Sequence, residues 1–176
     1  MPRFWPHIQI LQVALLMAFL AGGGSFAEAQ GRAPVPTPPG VETFPEEGTA
    51  HVQDKTPVSY KTVPPTSGPH AEQTYQAGFY GLPLRPEVLV HNLEHGNVVI
   101  YYARPLPEPV LNSLRALANQ YRGPWDGVLV VPWNDPQYPI ILTAWTKRLR
   151  LRKYDEEAIK LFLDAYRGRG PEKPVR

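Results

Sequence analysis

The chain contains no cysteine, and its only two methionines are Met1 and Met17. Without thiols there is no disulfide, no lipid-modified cysteine and no thiolate ligand for a metal. Cu(I) prefers soft sulfur ligands, so a chain with no sulfur beyond residue 17 is poorly suited to it. An excess of either charge is missing too: 18 Lys and Arg face 16 Asp and Glu, leaving +2. That surplus is too small to argue for nucleic acid or an anionic membrane as a partner. A long apolar run is also lacking. Residues 8–20 are apolar except for Gln9 and Gln12, and the run breaks at Gly22-Gly23-Gly24, whereas a membrane span needs about 20 consecutive apolar residues.

With Arg3 before this run and Ala27-Glu28-Ala29 after it, residues 1–29 read as a secretory signal peptide. The mature chain would start at Gln30 and keep 147 of the 176 residues, enough for one domain. It would be exported, periplasmic or extracellular. The alternative is an uncleaved anchor, which would make the membrane a partner.

Proline is abundant, with 22 residues. Pro34, Pro36, Pro38, Pro39 and Pro45 crowd residues 30–48 among few large apolar side chains, which predicts a disordered linker. A single domain is expected over residues 49–172, with a tail at 173–176. Residues 56–86 alternate Pro and Gly with Tyr60, Tyr75, Phe79 and Tyr80, the pattern of a long ordered loop. Pro86 suits the first turn of a helix running to His95, with Gly96 as its left-handed stop; a strand over residues 88–93 is the rival reading.

Residues 97–103 form a continuous β-prone run and read as a buried strand, as do 127–133 and 139–145. Helical spacing over 107–122 ends at Gly123, and a last helix opens on Asp155 and stops at Gly168. The fold class is α+β: a small sheet of three or more strands covered by two amphipathic helices, beside the Pro/Gly-rich loop region. Lys147, Arg148, Arg150, Arg152 and Lys153 alternate with Leu149 and Leu151, which predicts a solvated strand edge rather than a nucleic-acid patch.

The chemistry concentrates in two phrases, Pro64 to His70 and His91-Asn92-Leu93-Glu94-His95-Gly96, which hold three of the five histidines. His91 and His95, four apart, would share one helix face within reach of a single ion. His70 ends a loop stiffened by Pro64, Pro65 and Pro69, a rigid platform for a ligand. His51 could supply a fourth nitrogen, and Glu94 either completes the shell or orients an imidazole. These ligand types suit a divalent transition metal such as Zn or Cu. The string His91-x-x-Glu94-His95 also matches inverzincin metalloproteases, with Glu94 as general base. There a distant acidic residue completes the site. Glu172 is at a workable distance but lies between Gly170-Pro171 and Pro174, where a frayed tail is expected.

Thr49-Ala50-His51-Val52, the Pro64 to His70 phrase, Leu89 to Gly96, Leu142-Thr143-Ala144-Trp145, and Ala165-Tyr166-Arg167 with Gly170-Pro171-Glu172 together resemble the bacterial domain-of-unknown-function family numbered 3105. The resemblance spans residues 51–172 and implies export or membrane tethering. It implies no reaction. The leading expectation is an exported protein that binds a metal through His70, His91 and His95, with His51 or Glu94 completing the shell. A metal-dependent hydrolase using Glu94, and a structural or interaction domain without metal, are the alternatives.

Overall fold

The computed structural model describes Met1 and residues 35–176. The residues from Val35 onward belong to one compact unit, Pro34–Arg176. The signal-peptide and anchor readings of residues 1–29, and the start of the expected linker, lie outside the described residues. Among the described residues no helix is long and apolar enough to cross a membrane.

The β-prone runs become the sheet's inner strands. They are β5 (Val98–Tyr102), β6 (Val128–Pro132) and β7 (Ile140–Ala144), each buried throughout. β5 pairs parallel with β6 and antiparallel with β7. The β5-to-β6 connection carries α2 (Glu108–Gln120), the crossover that parallel neighbours require. The basic run forms β8 (Lys147–Leu151), which closes a tight hairpin with β7 through Trp145 and Thr146, the latter in the left-handed region at φ 60°. Two-residue strands flank the sheet: β1 (Glu42–Thr43) on β8 and β4 (Gly78–Phe79) on β6. Six strands thus run in the order β1-β8-β7-β5-β6-β4. A separate parallel pair joins β2 (His51–Val52) to β3 (His70–Ala71).

Alternation along the strands divides the core. Val98, Ile100 and Tyr102 face Leu114 and Leu117 of α2 together with Ile159, Phe162 and Leu163 of α3 (Glu156–Tyr166). Val99 and Tyr101 face the other way, onto Leu89 and Leu93 of α1 (Pro86–His95). The expected pair of helices therefore covers one face only. A third helix, α1, covers the opposite face, helped by Tyr75, Tyr80 and Trp145.

Three features differ from the sequence reading. The linker expected over 30–48 gives way to structure from β1 onward: the Glu42 carboxylate accepts from Arg148 Nε at 2.9 Å and Nη2 at 3.1 Å, and Phe44 N–H donates to the Thr146 carbonyl. β8 is therefore an inner strand and not a solvated edge, and Arg148 is buried. The tail expected at 173–176 turns back, with the Val175 and Arg176 N–H groups donating to the Gly168 carbonyl. Composition could not reveal the β1 contacts because they join segments about a hundred residues apart, and the tail contacts are backbone hydrogen bonds that composition does not encode.

Candidate metal centre

Helix α1 starts with Pro86 at its first positions and ends at Gly96, whose φ of 98° is the left-handed cap anticipated for glycine; its N–H donates to the Asn92 and Leu93 carbonyls. Along this helix Glu94 and His95 lie one turn beyond His91, at i+3 and i+4, and diverge around the axis by about 100°. His91 therefore sits between them. One neighbour leads inward and the other outward.

The inward partner is His70. Its loop is locked from several directions: Thr62 Oγ1 accepts the Thr66 N–H at 3.0 Å, Ser67 Oγ accepts from Glu47 N–H at 3.1 Å, and the Tyr60 hydroxyl donates to the Pro69 carbonyl at 2.8 Å. Gly68 has φ 127°, and a Cβ there would press on the Tyr60 ring at 3.0 Å. The hairpin tip holds the same loop, with Thr146 N–H donating to the Thr66 carbonyl. His70 is fully buried, and its N–H donates to the Ala50 carbonyl, setting His51 opposite His70 in the β2–β3 pair.

Backbone carbonyls fix two tautomers. His70 Nδ1 lies 2.8 Å from the Gly68 carbonyl and His91 Nδ1 lies 2.9 Å from the Ala71 carbonyl. A carbonyl can only accept, so both Nδ1 atoms carry a proton, and in the neutral ring each Nε2 presents a lone pair. This is the arrangement that orients histidine ligands at metals. The rings of His51, His70 and His91 lie 4.8–5.0 Å apart, centre to centre. One donor atom from each of them, with one Glu94 oxygen, falls within a mutual 4.8 Å.

Glu94 Oε2 approaches His70 Nε2 at 3.1 Å, and among the described residues this buried nitrogen has no hydrogen bond of regular geometry. A carboxylate oxygen and an imidazole lone pair are both acceptors, so the contact is bridged either by a proton on one of them or by a metal cation. Two ligand atoms held tetrahedrally at 2.0–2.1 Å from one ion would be about 3.3 Å apart, close to this separation. The widest pair in the set must contract to reach that geometry. Burial first, and then the neighbouring His95 and His70, push the His91 pKa below its ordinary value, keeping this imidazole neutral and able to ligate.

His95 does not join His70. Its ring stacks on Trp125 at 4.0 Å, and its Nε2 lies 2.9 Å from Glu172 Oε2. His91, His95 and Glu172 make a second set of donors within 4.8 Å of one another. The expected convergence of His70, His91 and His95 on one ion is thus replaced by two sets that share His91. Glu172, which sequence reasoning assigned to a frayed tail, is delivered by a close backbone approach: Gly168 N–H donates to the Gly96 carbonyl, and a Cβ on Gly170 would collide with the Glu94 carbonyl. The glycines at 168 and 170 were the available signal, since such packing tolerates no side chain.

A family profile described as "Protein of unknown function (DUF3105)" matches residues 51–176. The chain belongs to this family. The match opens at His51 and takes in every donor of both sets, so the family's region and the histidine centre coincide. A search of curated proteins and a search of solved structures each found no match.

Proposed function

We propose that this domain binds one divalent transition metal, Zn(II) or Cu(II), through His51, His70, His91 and Glu94, and that it does so as an exported metal-holding protein. The observation that carries the reading is the convergence of one donor atom from each of His51, His70, His91 and Glu94 within a mutual 4.8 Å, three of the four residues buried, with His70 Nε2 3.1 Å from the Glu94 carboxylate. Three imidazoles and a carboxylate, with no sulfur, suit Zn(II) and Cu(II). Export rests on the reading of residues 1–29 as a signal peptide.

Protein purified without an affinity tag, exposed to Zn(II) and dialysed, should retain one equivalent. Glu94→Gln should lower Zn(II) affinity by about ten- to a hundred-fold, the range for loss of a group that ligates or orients a ligand. If Glu94→Gln keeps its zinc at full affinity but abolishes an ester, amide or phosphate hydrolysis performed by the wild type, Glu94 is a general base and the domain is a hydrolase. If the wild type retains no metal, the histidines serve only to order loops.

A further inference from the structure

Resting on that reading, we propose that His91, His95 and Glu172 form an outer metal position through which the inner one is loaded and unloaded. His91 Nδ1 is committed to the Ala71 carbonyl, so only Nε2 can ligate, and it can serve one ion at a time. The two donor sets are therefore alternative positions for a single ion. They are adjacent: the His91 and His95 rings lie 4.6 Å apart.

Their surroundings differ in a way that suits capture and holding. In the inner set His70 and Glu94 are buried. In the outer set the Glu172 side chain is 46% exposed and His95 is partly exposed. Glu172 thus offers solvent a negative charge beside two imidazoles, whereas the exposed member of the inner set, His51, offers no charge when neutral. Trp125 backs the His95 ring, and Lys173 lies over the Trp125 ring at 5.4 Å, so His95 is held in place before any ion arrives. An ion bound to Glu172, His95 and His91 can exchange the first two for Glu94 and His70 while keeping His91. It need not lose its whole shell at once.

The full tag-free chain and Zn(II) alone provide the test, with a chromogenic chelator reporting uptake and release by stopped flow and affinity by competition. Glu172→Gln and His95→Gln should leave equilibrium affinity within about threefold but slow both uptake and release by about tenfold or more, the scale on which a local charge accelerates capture. His70→Gln, which dismantles the inner set, should keep a weaker one-zinc site that the added Glu172→Gln removes. Unchanged rates in Glu172→Gln and His95→Gln, with wild-type zinc binding intact, would show that ions enter past His51 and would overturn the outer position alone. A His70→Gln protein that folds but binds no zinc would also overturn it. A wild type that takes up no Zn(II) would overturn this proposal together with the function on which it rests.

Discussion

Glu94 and His95 are neighbours in sequence with opposite assignments: one side chain meets a buried imidazole and the other a stacked tryptophan and the Glu172 carboxylate. Single substitutions should separate them. Glu94→Gln leaves an amide beside His70 and should cut metal affinity, whereas His95→Gln should spare it, as competition with a chelator would reveal. His91, which lies between them on the helix, contributes to the pH response of the metal-free protein. Burial, then His95 and His70, lower the His91 pKa from 6.5, so below that value the unfolded chain binds a proton that the folded chain refuses. Stability should then fall as pH drops from about 6.5 toward the folded value, because the unfolded state carries more protons there. Denaturation midpoints for wild type and His91→Gln across that interval check this, and equal pH slopes would contradict it. At this scale the sequence named His51, His70, His91, His95 and Glu94 as ligand types. It could not divide them, because the division depends on which long-range segment lies beside each helix face.

Among the elements, α1 carries three of the six donors, and the glycines around its end govern how closely the C-terminal segment approaches. A Cβ on Gly96 would lie 2.7 Å from the Gly170 nitrogen and 2.9 Å from the Trp125 carbonyl, at a backbone φ of 98° that side chains disfavour. Gly96→Ala and Gly170→Ala should each cost about 1–3 kcal/mol, as overpacking does. Gly78→Ala, where nothing lies within 4 Å of the added carbon, is the matched control and should change stability by about 0.5 kcal/mol or less. Urea denaturation compares the three, and a similar cost at all would contradict the close-approach account. The elements with their own periodicity were legible: α1 with Pro86 and Gly96, the runs that became β5, β6 and β7, and α3 with Asp155, whose carboxylate accepts the Ala158 N–H. The two-residue strands were not. β1, β2, β3 and β4 have no periodicity to read and exist through partners 19 to 106 residues away, from the His51–His70 to the Glu42–Arg148 pairing.

For the molecule as a whole, the domain begins earlier than its histidine motifs suggest. A chain starting at Thr49 would lack Glu42, whose carboxyl is held below the ordinary carboxylate range chiefly by its hydrogen bond to Arg148, and would leave β8 as an open edge. Compared with a chain starting at Val35, it should be less stable by about 1.5–3 kcal/mol, the scale for losing a hydrogen bond to a charged group, and more prone to associate through β8. Denaturant titration and light scattering of the two chains would show it; identical behaviour would mean that the β1 pairing contributes nothing. An ion that binds only the folded state stabilises it by about 2.7 kcal/mol when its free concentration is a hundred times the dissociation constant. Thermal unfolding of the tag-free protein with and without Zn(II) is therefore the most direct measurement. The account predicts a clear rise in melting temperature for the wild type that shrinks in His70→Ala; no rise, or an equal rise in His70→Ala, would contradict it.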